Sequence, residues 1–521
     1  MHMQFQLPGR RRRHRTTWIE WVLVHKSARS GGELKAVMED SDRKRHCWQC
    51  RRSCVVCDFT QPGCQRCSAA GVSCPGYSDI EPRKLKWLAP GKVLSRNHKA
   101  NKAHLVRKST TIATASAQAV EPKISDWNMR YNACILEDLT PIHELGRHPY
   151  IHHVSPERLK EAILVPEFLR SGLICMTLNH RMNRLGIRSN PGATDLVEKY
   201  YIHWGITIRS LSEQFNVENK RTSDVVIAGI LTILLGDIQN GAQVSWLHHL
   251  DGIHKLVSLR GGFRALAPSQ RLAPLLNCLW FIGIITNTTC PASYLNLSTI
   301  SHFEASDFMQ EHYSFASTPT QMFPPQLLAE VSKINYLRLQ AKSKKEYRDE
   351  HLSKDAYNIL ESIEAFSPEE SAQSKFSSKE DWMRIGTVYR SATALYCILS
   401  LQSVSVLPED SALRTRCVIH GQVLLRHLPE SLSSARTKRF MLWPLVLLGV
   451  EAVHSDMATR AFVSKQLPEL SRSVGTSIPL TAQSVLESFW ASGLKLWDAC
   501  FDRPYPFTMQ IAVDVSQVST P

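Results

Sequence analysis

The segment Cys47-Trp48-Gln49-Cys50-Arg51-Arg52-Ser53-Cys54-Val55-Val56-Cys57 is followed closely by Cys64-Gln65-Arg66-Cys67 and by Gly71-Val72-Ser73-Cys74-Pro75-Gly76-Tyr77. Both halves obey C-x2-C-x6-C, and each cysteine of the second half lies 17 residues after its counterpart in the first. Cysteine is 14 of the 521 residues. Five further matches at fixed offsets would therefore arise by chance about once in 10⁸ trials. Cys54 breaks the repeat, since its counterpart is Gly71, and it is read as a non-ligand.

The spacing has a mechanical reason. In C-x2-C, a three-residue offset on the first turn of a helix turns both sulfurs to one side, where backbone N–H groups favour thiolate. The x6 loop then returns a third sulfur. Each half thus offers three ligands, one short of the four that a closed tetrahedral structural zinc site needs. If Cys47 and Cys64, the first cysteine of each half, bridge two metals, both zincs reach four sulfurs. The expected ligands are Cys47, Cys50, Cys57, Cys64, Cys67 and Cys74, with two Zn²⁺ per chain. Six thiolates and two Zn²⁺ carry a formal charge of about −2. The neighbouring Arg43, Lys44, Arg45, Arg51, Arg52 and Arg66 offset that charge and are the expected DNA contacts.

Outward from the cluster, charge is unevenly placed. Residues 1–125 hold 24 Lys and Arg against 9 Asp and Glu, which is the whole of the chain's net +15. The remaining 396 residues are neutral on balance. A basic reader attached to a separate body produces this asymmetry, and phosphate-rich nucleic acid is its natural partner. The early apolar stretch Trp18-Ile19-Glu20-Trp21-Val22-Leu23-Val24 is short and interrupted, so no secretory signal is expected. The cysteines are then expected in a reducing compartment, which favours metal ligands or buried thiols over disulfides. Val225 to Leu235 and Phe440 to Val450 fall short of the roughly 20 apolar residues of a membrane span and read as core helices.

The organisation follows. Residues 1–41 read as a disordered basic leader with the run Arg10-Arg11-Arg12-Arg13-His14-Arg15; Met38 is a candidate translation start, which would make 1–37 an extension of the gene prediction. Residues 42–78 form the zinc cluster domain, 79–127 a basic linker, and 128–515 an all-α body. No leucine heptad follows the cluster. In the body, Asp224 to Asn240 is apolar nearly all round and should be a central buried helix. Ser245 is the expected N-cap of a helix whose Trp246, Leu250, Ile253 and Val257 share one face, ending at Gly261-Gly262. Further helices are expected over Thr194 to Phe215, Trp382 to Leu401, Leu413 to His427, Met441 to Val453 and Ser484 to Cys500. The fold class is mostly α, with a small two-zinc cysteine domain and a large all-α regulatory domain.

The motifs Cys-Trp-Gln-Cys-Arg-Arg, Pro62-Gly63-Cys64-Gln65-Arg66-Cys67 and Gly71-Val72-Ser73-Cys74-Pro75-Gly76-Tyr77 resemble those of the fungal binuclear zinc cluster transcription factors. The resemblance implies that Cys47 and Cys64 bridge, that two short helices are related by pseudo-symmetry, and that the first enters the major groove. Leu85-Lys86-Trp87-Leu88-Ala89-Pro90-Gly91-Lys92-Val93 is similar to the segment after the cluster in one branch of that family. In the body, Trp246-Leu247-His248-His249-Leu250-Asp251-Gly252 running to Leu259-Arg260-Gly261-Gly262, and Trp443-Pro444-Leu445 with Gly449 and Glu451, resemble its helical regulatory domain. Members usually carry basic residues between the second and third cysteines. Here Ser53, Cys54 and Val56 stand in that stretch, so the family's preference for CGG triplets does not carry over. Arg51 and Arg52 retain the capacity for bidentate contact to guanine.

The function expected is sequence-specific, zinc-dependent regulation of RNA polymerase II genes in the nucleus, with a metabolic gene cluster as one class of target. The partners expected are double-stranded DNA, transcription machinery or co-regulators, and a second copy of the chain, with no membrane. The alternative is a zinc-stapled interaction or co-regulator protein with degenerate DNA reading. An enzyme is not expected: the chain has no G-x-S-x-G, no G-x4-G-K-[ST] and no H-E-x-x-H. His248, His249 and His254 are read as surface or packing residues, and Trp246 and Trp443 as core anchors.

Overall fold

The computed structural model describes Cys47, most residues from Cys57 to Cys74, and residues 166–508 apart from 187–193, 242–244, 270–271, 315–322, 344–349 and 376–377. The leader 1–41, Cys50, Cys54 and the linker 79–127 lie outside the described residues. The chain divides into two compact units, Met1–Thr114 and Ala115–Pro521. Among the described residues every regular element is a helix.

In the first unit, α1 spans Gln65–Ala69. The second unit runs through α2 (Glu167–Arg184), α3 (Thr194–Asn216), α4 (Asp224–Gln239), α5 (Ser245–Leu259), α6 (Gly262–Leu266), α7 (Ala273–Thr288), α8 (Leu297–Ser314) and α9 (Pro325–Ser343). It continues through α10 (Glu350–Ala365), α11 (Pro368–Gln373), α12 (Lys379–Ser403), α13 (Ser411–Ser433), α14 (Leu442–Glu451), α15 (Met457–Val474), α16 (Ile478–Ser492) and α17 (Trp497–Cys500).

Helices with apolar residues on every side occupy the centre, because only there can all faces leave water. From Val226 to Gln239, every residue of α4 is buried, as is every residue of α14. In α12 the apolar stretch Ala392 to Leu401 is buried without interruption, and this helix packs against α9, α10, α11, α13, α14 and α17. Amphipathic helices form the shell: α10 buries Leu352, Ala356, Ile359, Leu360 and Ile363 and turns its charges outward. Local chemistry sets several starts. The Asp410 carboxylate accepts the Leu413 N–H at 2.8 Å to begin α13, and Asp456 accepts the Thr459 N–H at 3.1 Å to begin α15.

The predicted helix over Ser484 to Cys500 is two elements. Gly493 takes φ +71°, which ends α16, and Leu496 is extended before α17 begins. The apolar spacing continues across the break, which is why periodicity alone joins them. The helix expected from Ser245 stops as predicted, with Gly261 and Gly262 both at positive φ. Trp246 and Trp443 are buried.

One feature of the core has no signature in the sequence. Arg338 is fully buried and donates to the carbonyls of Asn287 (2.9 Å) and Cys290 (2.7 Å), to the Tyr396 hydroxyl (3.1 Å) and to Asp498 (2.9 Å). Asp498 also accepts the Ala292 N–H at 2.7 Å. Nearby, Trp497 Nε1 donates to the Thr288 carbonyl at 3.0 Å, and the Tyr505 N–H to the Thr289 carbonyl at 3.0 Å. These bonds lash residues 497–505 to the end of α7, satisfying groups that burial would otherwise leave unpaired.

Candidate metal centre and nucleic-acid interface

The second cysteine half is built around α1. Cys64 sits in extended conformation ahead of the helix, and the Cys67 N–H donates to Cys64 Sγ at 3.3 Å. Cys67 therefore rises one turn later on the same side. After α1 the chain must turn sharply to bring Cys74 back, and Gly71 does so at φ +68°. Asp58 braces the start of the helix: its carboxylate accepts the N–H groups of Gln65 (3.2 Å) and Arg66 (2.8 Å), and it also accepts from the Thr60 hydroxyl and amide. Hydrogen bonds from Thr60, then from Arg66 and Gln65, hold the Asp58 carboxyl down at about 2. Sequence reasoning missed Asp58; an aspartate beside a cysteine announces no partner seven and eight residues away.

The sulfurs of Cys47, Cys64, Cys67 and Cys74 all lie within 4.8 Å of one another. Cys47 Sγ is 3.6 Å from Cys64 Sγ and 3.7 Å from Cys67 Sγ. A tetrahedral zinc with Zn–S bonds of about 2.3 Å has sulfurs about 3.8 Å apart. The donor set thus fits Zn²⁺ in chemistry and in size. Its membership is informative, because three of the four sulfurs belong to the second half and the fourth, Cys47, is the first cysteine of the other half. Cys57 is buried in the same cluster of sulfurs, beside Cys47, Cys64 and Cys67.

Of the expected DNA contacts, Arg66 lies on α1 with its side chain exposed. Arg43, Lys44, Arg45, Arg51 and Arg52 lie outside the described residues. Of the three histidines singled out in the body, His248 is exposed and His249 and His254 are packed. His254 Nε2 and His302 Nε2 lie 3.2 Å apart, sharing a hydrogen bond, and His249 faces Asp237 at 3.5 Å. Burial pushes the His254 imidazole down to about 4 and His302 well below its ordinary value. Among the described residues no helix is long and apolar enough to cross a membrane.

Comparison with known proteins agrees with this geometry. Residues 45–84 match the fungal Zn(2)-Cys(6) binuclear cluster domain, and residues 129–496 match the fungal specific transcription factor domain. Over 44 residues the chain is 48% identical to arginine metabolism regulation protein II of Saccharomyces cerevisiae (strain ATCC 204508 / S288c), a match covering 8% of this chain and 4% of that protein. No solved structure matches. The cluster domain binds two zinc ions, and its family and that of the body are families of transcription regulators, not enzymes. Because one family spans most of the helical body and the other the cysteine repeat, the chain belongs to the fungal Zn(2)-Cys(6) transcription factors.

Proposed function

We propose that residues 42–78 are a two-zinc reading head in which Cys47, Cys50, Cys57, Cys64, Cys67 and Cys74 hold the metals and Cys47 and Cys64 bridge them. The single observation that carries the reading is the mixed sulfur group, with Cys47 standing among Cys64, Cys67 and Cys74. A second-half zinc needs a fourth ligand from the first half, and Cys47 is in place to be it. Arg51 and Arg52 contact base edges, while Arg43, Lys44, Arg45 and Arg66 contact phosphates. The linker 79–127 follows the backbone electrostatically, and the body 128–515 dimerises or contacts transcription machinery and co-regulators. Family membership implies a nuclear location. The genes controlled are those of RNA polymerase II, with a metabolic gene cluster as the target class.

The test is binding-site selection on the full chain with random duplexes, with and without a chelator, alongside zinc counting by atomic absorption. Two zincs per chain, a recurrent sequence motif and its loss on chelation are expected. A Cys64→Ala chain that still holds two zincs would refute the shared ligands. Enrichment of no motif, with affinity that merely falls with salt, would instead favour a zinc-stapled interaction protein.

A further inference from the structure

A cleft of about 380 Å³ opens where the end of α12, the start of α13, the residues after α14 and the α16–α17 connection meet. Its volume lies at the small end of the range typical of ligand sites. Three basic side chains line it, Arg414, His454 and Lys495, together with the apolar Leu399 and Leu496 and with Gln402, whose amide is spent on the Pro408 carbonyl at 2.8 Å. Arg414 is anchored from behind by Glu451, whose carboxylate is 1% exposed. A guanidinium has five N–H donors, so donors remain for the cleft after this pairing. Burial and then the positive charges of Arg414 and Lys495 push His454 down to about 4 against a hydrogen bond to the Lys495 backbone, so the three groups share one locality and the neutral imidazole spends its N–H on the chain itself.

The rim sets the charge of the occupant. Glu409 and Asp410 also line the cleft, and Asp410 is already engaged in capping α13 through the Leu413 N–H. With Glu451 offsetting Arg414, these carboxylates disfavour a polyanion. A single negative charge can still reach Arg414 and Lys495 through charge-assisted hydrogen bonds. Leu399 and Leu496 offer apolar surface beside them, which suits an uncharged remainder. We propose that this cleft is a ligand site of the regulatory body for a small amphipathic monocarboxylate, gripped at its head by Arg414 and Lys495. Leu496 immediately precedes α17, so an occupant braces the start of α13 against the segment that closes the body.

The test uses the full zinc-loaded chain and the probes butyrate, hexanoate and octanoate, with hexylamine and inorganic phosphate as controls, followed by isothermal titration calorimetry and thermal melting. Saturable binding of at least one carboxylate at one site per chain is expected, with a ligand-dependent rise in Tm. Lys495→Glu, at an exposed position, should weaken that Kd at least tenfold, and Lys465→Glu, equal in charge change but outside the cleft, should leave it within twofold. Arg414→Lys should weaken binding while preserving the melt of the unliganded chain. No saturable binding of any carboxylate, binding unchanged by Lys495→Glu, or equal binding of phosphate or hexylamine would each overturn the proposal.

Discussion

The cysteines of the N-terminal cluster and those of the helical body are the same residue put to opposite uses. In the cluster, four sulfurs crowd to within 4.8 Å of one another, with Cys47 and Cys64 at 3.6 Å, which only a shared cation makes favourable once they are thiolates. In the body, Cys175, Cys278, Cys290, Cys397, Cys417 and Cys500 are buried thiols. Burial raises Cys175 and Cys290 to about 12 and Cys417 to about 11, which keeps them protonated and inert. The first unit is thus organised by metal and the second by exclusion of water. A small unit with little apolar core needs such a staple; a body with fully buried helices does not.

The most forceful way to break this contrast is chelation. Removing zinc from the full chain should lower DNA affinity by about a hundredfold or more and unfold the cluster, because metal-binding free energy is folding free energy there. Far-UV circular dichroism should lose little, since all the described helices but the five-residue α1 lie in the body. A collapse of helicity on chelation would show the two regions to be interdependent. In the native chelated protein, an alkylating reagent should label cluster cysteines and spare Cys397, counted by mass spectrometry.

The converse perturbation is Arg338→Met. It strips Asp498 and two carbonyls of their buried partner, at a cost of about 3–5 kcal/mol. The body should melt well below the parent in calorimetry while zinc per chain stays at two. Acid probes the same body more gently. Folded His254 and His302 hold protons less readily than the unfolded chain, so their contribution to stability is present above the unfolded value of 6.5 and is lost as pH falls from there toward 4. Denaturant midpoints should decline over that window, and a flat profile from pH 7 to 5 would contradict the burial of the two imidazoles. At the small end, Arg472→Ala removes an exposed pair with Glu469 and should change stability by less than about 0.5 kcal/mol, within error of the parent melt.

The two regions are unequally legible in the sequence. The cysteine repeat is a one-dimensional pattern that can be counted along the chain, with no knowledge of how it folds. Asp224 to Asn240 is legible for a related reason: a helix buried on every face needs no knowledge of its neighbours, and α4 ends at Gln239, one residue short. Long-range polar pairing is not legible. Arg338 lies within a helix of mixed composition and reads as a surface residue until α12 and Asp498 are seen to enclose it. The break at Gly493 is hidden because apolar spacing survives across it. Ser245, expected as a cap, is the first residue of α5, a shift of the kind that helix ends commonly show.

The seam that Asp498 and Trp497 make with residues 288–292 spans more than two hundred positions of chain. A contact of that separation pays its loop-closure entropy only once the intervening chain has been made. During synthesis the cysteine cluster leaves the ribosome hundreds of residues before the seam can close. The reading head can therefore load zinc while the regulatory half is still incomplete, and nascent chains stopped before residue 497 should hold two zincs yet be cut readily by protease within the body.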